Sequence, residues 1–378
     1  MILFLFIFLV FLLSYIYFLY PLILSLKPDR ENSPEGECHS SLPTVSVLVP
    51  AYNEENHVGK KIPNILGQDY PREKMEILFA SDGSTDRTVE IANSFREPNI
   101  KVFDYKERRG KNAILNDVAT RAMGEILVFT DTNSVFVKDA LRKLVKYFKD
   151  DKVGLVCGHL KYLKGTEHGV GKGEGLYFRY EGWIKRLESR WGSVAVVTGS
   201  IYAIRKSLFI PVDSDVANDF LHPVHVGAEG YKVLFEPEAI AYERATSSIS
   251  EEFRRRVRIT TRGFTAFGKY WRKYHILRGM RGFCLVSHKL LRWFVPFFLI
   301  GLFATNLFLT APFFKATLWA QLAFYFAALC GIFIKGRWGK LFVIPFYFCM
   351  INLAALVAFI NFLRGKRQAI WQVATTTR

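Results

Sequence analysis

The chain opens on M-I-L-F-L-F-I-F-L-V-F-L-L-S-Y-I-Y-F-L-Y-P-L-I-L-S-L, residues 1–26, without one charged side chain. A helix of that length crosses a hydrocarbon core of ~30 Å. Within lipid a lone segment satisfies its backbone hydrogen bonds only as a helix. A cleaved secretory signal needs a basic start, a shorter apolar run and a small-residue cleavage site. None of these is present, so the run reads as a retained transmembrane anchor and the chain as an integral membrane protein.

The charge has to be read beside that anchor. The formal net charge is +17, which fits nucleic acid, anionic lipid or phosphorylated substrates as partners. The basic residues gather near apolar stretches: Arg254–Arg256, Arg258, Arg262, Lys269, Arg272, Lys273, Arg278 and Arg281, then Lys335 to Lys340. That placement favours membrane lipids and the cytoplasmic face. No nucleic-acid-binding motif is present. The five cysteines lack C-x-x-C spacing, which leaves small buried apolar residues rather than a zinc site or disulfide framework.

Residues 27–43 are polar and rich in Pro, Ser and Glu, the composition of a linker. From 44 to 249 short apolar runs (45–50, 75–80, 101–105, 125–130, 153–158) alternate with helix-like segments near 56–67, 86–96, 111–122 and 138–149. Such alternation predicts βαβ units, an α/β fold and a mostly parallel sheet flanked by helices. Ser84, Thr85 and Asp86 are caps for the second helix, and Pro63 should kink or shorten the first.

Residues 250–292 interleave Phe253, Val257, Phe264, Phe267 and Trp271 with Arg and Lys. This predicts amphipathic helices at the membrane surface, with an ordinary core helix as the alternative for part of the stretch. Apolar runs at 293–311, 316–334 and 341–363 predict about three further transmembrane helices within 293–363, followed by a basic tail, 364–378. The loop 335–340, with Lys27 and Arg30, votes for the cytoplasm. Four simple spans would place the C-terminus outside, against the basic 364–367. A re-entrant or interfacial stretch would reconcile the two, with Pro296 and Pro345 as break points.

Three predicted strands end in acidic motifs: P-A-Y-N-E-E at 50–55, A-S-D-G-S-T-D at 80–86 and T-D-T-N at 130–133. Parallel strands bring such ends to one edge of the sheet, where open α/β sheets bind ligands. Carboxylates there suit a nucleotide diphosphate, one accepting from a base or ribose hydroxyl and another holding a divalent ion. In T-D-T-N the second acid of a D-x-D pair is replaced by Asn133, whose carbonyl oxygen is still a ligand for a hard cation.

Taken in order, these motifs resemble those of a membrane-bound family 2 glycosyltransferase with the GT-A fold, related to polysaccharide synthases. G-K-N-A-I-L-N at 110–116, T-G-S-I-Y-A-I-R at 198–205 and N-D-F at 218–220 extend the resemblance, which covers roughly 44–265. It implies inverting transfer of a sugar from a nucleotide sugar, a UDP-sugar by expectation, with Mg²⁺ or Mn²⁺. The implied acceptor is a lipid-linked sugar, a lipid or a saccharide at the cytoplasmic face. By the same resemblance Asp82 contacts the nucleotide with Ala51 and Glu54 nearby, and Lys111 lies close to the donor. Asp131 binds metal or diphosphate with Asn133, Gly199 and Ser200 meet the acceptor, and Asp219 is the base. Glu54 and Glu55 as helix-start caps, and Lys111 as a solvated surface charge, remain alternative readings.

The chain departs from the Q-x-x-R-W motif of processive synthases, with R-R-R-V-R-I at 254–259. Arg255 and Arg258 keep the three-residue spacing, and arginine suits a pyrophosphate. The absent tryptophan removes an acceptor-stacking surface and argues against long-chain processivity. A processive synthase is the alternative within the enzymes, and a catalytically silent scaffold the alternative outside them. G-V-G-K-G-E-G at 169–175 matches no phosphate-loop pattern and reads as a flexible loop. His222 and His225 lack a third ligand and read as packing residues. Trp183 and Trp191 are either sugar-subsite walls or core.

Overall fold

The computed structural model describes residues 1–28, 42–163, 169–244, 248–334 and 336–366. Most of the linker, with Arg30 and Cys38, as well as Lys335 and residues 367–378 of the tail, lies outside the described residues. The strands are β1 Val45–Ala51, β2 Met75–Asp82, β3 Ile100–Tyr105, β4 Ile126–Thr130, β5 Val135–Phe136, β6 Val153–Leu163, β7 Ile201–Arg205 and β8 Lys232–Arg244. They form one sheet in the order β3-β2-β1-β4-β7-β6-β8-β5. The sheet is mixed: β3, β2, β1 and β4 run parallel, β7 turns antiparallel to β4 and β6, and β8 is parallel to β6.

Every residue of β1, β2 and β4 is buried, as in parallel strands covered on both faces. Successive side chains alternate between the faces. Val45, Val47, Val49, Ile77 and Phe79 enter one core layer, beneath α2 (Glu55–Leu66) and α5 (Ala140–Val145). Leu48, Leu78, Leu127 and Phe129 enter the other, beneath α4 (Lys111–Arg121). Between these, α3 (Thr88–Ser94) is capped by Asp86, whose Oδ1 accepts from the Thr88 amide at 3.1 Å. Pro63 lies inside α2, which nevertheless runs on to Leu66.

Two local readings are corrected. Residues 169–175 are not a loop: α6 runs unbroken over Gly169–Arg190. Tertiary context overrides the low helix propensity of its glycines. The helices also continue through Pro296 and Pro345.

The remaining helices are α7 Asn218–Ala228 and α8 Ile249–Tyr270, α9 Gly279–Leu307 and α10 Pro312–Phe333, and α11 Gly336–Leu363. Among the described residues four helices are long and apolar enough to cross a membrane: α1 (Ile2–Ser25), α9, α10 and the Leu341–Leu363 part of α11. The apolar run of α9 was expected from 293, yet the helix starts at Gly279. His288, Lys289 and Arg292 interrupt the apolar pattern there, and inside the fold they meet Glu181 and Glu188. The face of α8 carrying Val257 and Phe264 packs on Ala354 and Ala358 of α11, so it is covered by protein.

Candidate active site

Because β1, β2 and β4 are parallel, their C-terminal ends share an edge. Antiparallel β7 brings its N-terminal end to the same place, with Ile201 opposite Thr130. Gly199 and Ser200, just before β7, therefore arrive beside Asp131. The far ends of β6 and β8 join them, with Tyr162 opposite Glu243. The crevice is thus assembled from six strands and the loops that follow or precede them.

Asp131 sits at its centre. The Lys111 ammonium pairs with Oδ1, and the Ser200 hydroxyl donates to Oδ2 at 3.0 Å. Lys111 is 17% exposed and bound to Asp131, so it is no solvated surface charge. It opens α4 directly after Gly110, whose φ of +92° is a conformation that favours glycine. That loop is held from beneath by Asp82. The fully buried Asp82 carboxylate accepts from the Arg109 amide at 2.7 Å and the Gly110 amide at 3.0 Å. In this arrangement Asp82 shapes the loop that presents Lys111.

The first strand end is locked to the second. Asn53 takes a positive φ of 52°, and its Oδ1 accepts from the Thr85 amide at 2.8 Å. The Glu54 amide donates to the Thr88 hydroxyl at 2.7 Å, and a Glu55 carboxylate oxygen accepts from the Arg87 amide at 3.2 Å. The Glu54 side chain is buried against His57. Ala51 is wholly buried in the core, so only its backbone faces neighbours. The Arg108 guanidinium lies 3.7 Å from the centroid of the Tyr52 ring, a cation–π contact across the loops.

Asp219 lies in the first turn of α7. Its carboxylate accepts no hydrogen bond from any described residue. A Cβ built on Gly199 would stand 3.7 Å from its Oδ2, so the glycine leaves room directly over the acid. Burial pushes the Asp219 carboxyl upward, opposed by the charges of Arg262, Lys111, Lys185 and Lys289.

Two buried groups went unpredicted. Lys61 is 1% exposed. Its ammonium donates to Thr130 Oγ1 and the Ser134 carbonyl, both at 2.6 Å, and to Ser134 Oγ at 3.2 Å. Burial lowers it to about 7, against the pull of Asp131 and Glu243. Glu243 is the second group. Burial and the neighbouring Asp131 charge raise it to about 7, opposed by Ser200, Arg255 and Lys111, and its Oε1 has no partner. A signal existed for both. Lys61 interrupts the apolar face Val58, Ile62, Ile65 of α2, and Glu243 continues the buried alternation of Ala239 and Ala241.

On the basic helix, Arg255 and Arg256 both grip the buried Glu252, with Nε contacts of 2.7 Å each. Arg255 also donates to the Tyr162 hydroxyl at 2.9 Å. Burial would raise Glu252, but the two guanidiniums hold it at about 2. Arg258 is lowered to about 10 by burial and by Arg262 and Arg255, with Asp131 opposing. Arg258 is therefore close enough to Asp131 to feel its charge.

The other candidates stand apart from this chemistry. His222 is buried between the Tyr202 hydroxyl (2.9 Å) and the Ile210 carbonyl (3.1 Å), and burial lowers it to about 4, so it is a neutral packing residue. Trp191 gives its indole N–H to the Leu24 carbonyl at 3.2 Å and belongs to the junction with α1. Trp183 is 47% exposed.

The side-chain oxygens that could hold a metal here are those of Asp131, the Asn133 carboxamide and Glu243. Among the described residues no three His, Cys, Asp or Glu side chains cluster to hold an ion by themselves. Mg²⁺ and similar hard ions are commonly held by one or two carboxylates plus substrate phosphates. The orphaned Glu243 oxygen and the unpartnered Asn133 amide fit an ion that arrives with its nucleotide.

The fold and this crevice define a sugar-transferring enzyme built on the GT-A plan. Residues 46–212 match the profile of Glycosyl transferase family 2, so the chain carries a glycosyltransferase domain of that family. It is 27% identical over 318 residues to a probable glycosyltransferase, YdaM, of Bacillus subtilis, covering 79% of this chain and 74% of that one. It is 28% identical over 243 residues to the poly-beta-1,6-N-acetyl-D-glucosamine synthase of Staphylococcus aureus, covering 62% of this chain and 56% of the relative. Among solved structures, the mannosyltransferase PcManGT of Pyrobaculum calidifontis, in complex with GDP-Man and Mn2+, superposes with a TM-score of 0.73 at 21% identity. The match covers 96% of this chain and all of that one. It shows a shared fold.

Proposed function

We propose that this glycosyltransferase is an inverting, metal-dependent enzyme of the membrane. It takes a sugar from a nucleotide sugar, a UDP-sugar by preference, and passes it to a lipid-linked, lipid or saccharide acceptor at the cytoplasmic face. One observation carries the reading: two carboxylates flank the Gly199–Ser200 dipeptide, Asp131 bonded to Ser200 and Asp219 beneath Gly199. A reacting sugar above that dipeptide would have a phosphate-side acid on one hand and an acceptor-side base on the other.

In this scheme Asp219 takes the proton of the acceptor hydroxyl, whose oxygen forms the new bond to the anomeric carbon. The bond from that carbon to the diphosphate oxygen breaks, and the nucleoside diphosphate leaves with the electron pair. Lys111 and Arg258 offset the developing charge, and Arg255 holds the approach from β6 through Tyr162. A bound Mg²⁺ or Mn²⁺, held by Asp131 with Asn133 and Glu243, would supply further charge neutralisation at the diphosphate. Support for metal use comes from the donor set and from the Mn2+ in the solved relative's complex. Asp82, Glu54 and Ala51 build the nucleotide end chiefly through their loops.

Asp219→Asn tests the assignment. Transfer should fall about 10²–10⁴-fold, the usual worth of a positioned base, while UDP binding by calorimetry stays unchanged. Full transfer by the variant would overturn it. A ladder of products in place of a single adduct would move the reading to a processive synthase.

A further inference from the structure

Between α1, α6, α8, α9 and α11 lies a cavity of about 710 Å³. Most of its wall is apolar, including Leu13, Leu299, Leu302 and Phe324. Leu299, Leu302 and Phe324 also wall a second cavity of about 280 Å³, lined further by Phe6 and Phe314's neighbour Thr317. The apolar space therefore continues among the helices long enough to cross a membrane.

The same wall carries Lys289 and Arg292. Both meet Glu181, Lys289 at 2.9 Å and Arg292 in a close contact to its Oε1. His288 also faces Glu181, at 3.1 Å. One carboxylate thus serves two fixed cations and an imidazole. The Arg292 side chain is 11% exposed and lies 5.0 Å over the Tyr180 ring, and its Nε and Nη2 have no hydrogen-bond partner among the described residues. A buried guanidinium with open N–H groups is costly unless an acceptor completes it. Its fork geometry suits a phosphate.

The cavity also reaches the catalytic helix. Trp293, in its wall, stacks on Phe220, the residue after Asp219, with ring centroids 6.0 Å apart.

We infer that this cavity binds a phosphate-bearing membrane lipid, its headgroup on Arg292 and Lys289 and its chain in the apolar space between the spans. Its use as the acceptor site rests on the reading of Asp219 as base. The occupant is a lipid rather than free phosphate because the two cations share one chamber with a mostly apolar wall. A soluble anion would leave that chamber empty.

The test uses the full chain in detergent without donor, and native mass spectrometry to count retained dioleoylphosphatidylglycerol against dioleoylphosphatidylcholine. The wild type should retain the anionic lipid preferentially. Arg292→Gln should weaken that preference about tenfold, and it leaves Glu181 still paired with Lys289. Ala355→Phe, which fills the cavity without touching charge, should lower retention of the anionic lipid too. Inorganic phosphate at the same concentration should not displace it. Equal retention of the two lipids, an unchanged preference in either variant, or displacement by phosphate would overturn the inference. UDP binding, measured in parallel, should be the same in all three proteins. Because no donor is present, failure here is distinct from failure of the transferase reading.

Discussion

Two buried polar regions, one at the sheet edge around Asp131 and one between α6 and α9 around Glu181 and Glu188, lack opposite things. At the sheet edge, Glu243 has an open oxygen, and Asp219 and Asn133 have no side-chain partner among the described residues. Under the membrane-facing helices the carboxylates are saturated. Glu188 accepts from Tyr20 and pairs with His288, each at 2.7 Å, and accepts from the Ala195 amide at 3.0 Å. There the open valences belong to a cation, Arg292. Buried polar atoms are expensive to leave unmade, so each deficit describes what completes it. The first region calls for protons and cations, the second for an anion.

The largest effect that can break this comparison is at its centre. Asp131→Ala should cut transfer about 10³-fold or more, because it removes the acid that pairs Lys111 and that would hold the proposed ion. Product release from the donor, with and without chelator, measures it. An active variant would mean that the edge is not short of cations at all.

Glu188 gives the contrasting case. Glu188→Leu should leave chemistry to the folded fraction but destabilise the fold by about 3–5 kcal/mol, since His288 and Tyr20 lose a buried partner. Thermal unfolding in detergent reads this directly. A melting temperature like that of the wild type would show the saturated network to be dispensable.

A smaller and subtler effect is in the pH profile. Asp219 must be ionised to act, and burial raises its carboxyl above the ordinary range. The acid limb of kcat/KM should therefore fall at a higher pH than for an exposed aspartate. Activity is complete above the raised pKa and lost as pH drops through it. A limb at the ordinary carboxylate position would remove Asp219 from the role.

The smallest effect is expected at Asn133. Asn133→Asp should stay within about twofold of the wild type with Mn²⁺ present, as its side chain breaks no existing contact. A dead variant would exchange the roles assigned to Asn133 and Asp131.

The position of the acids at the sheet edge was legible in sequence because Asp82 and Asp131 each end an unbroken apolar run. Pattern and position agree at Ala51, Asp82 and Asp131. Of the three strands not read from the sequence, β8 is the most telling: K-V-L-F-E-P-E-A-I-A-Y-E-R mixes Pro237 and three glutamates into the apolar alternation, and its pairing with β6 shifts register near that proline. Proline removes a ladder donor, and a bulge hides the period of two. Glu243 was lost with the strand that carries it. The start of α9 was obscured for another reason. His288, Lys289 and Arg292 look like the end of an apolar segment, and only the distant Glu181 and Glu188 make them buried. Charge compensation between residues a hundred positions apart leaves no local trace.

The end of α1 is tied to the catalytic domain at three points: Tyr20 to Glu188 at 2.7 Å, the Leu24 carbonyl to Trp191 at 3.2 Å, and the Lys27 carbonyl to Arg190 at 3.1 Å. A tether would let the crevice wander over the bilayer. These contacts make the first helix a strut instead, so the height of the crevice is a built dimension. Reach toward a substrate is then decided by the substrate's own length, and the fixed strut becomes a gauge against which that length is measured.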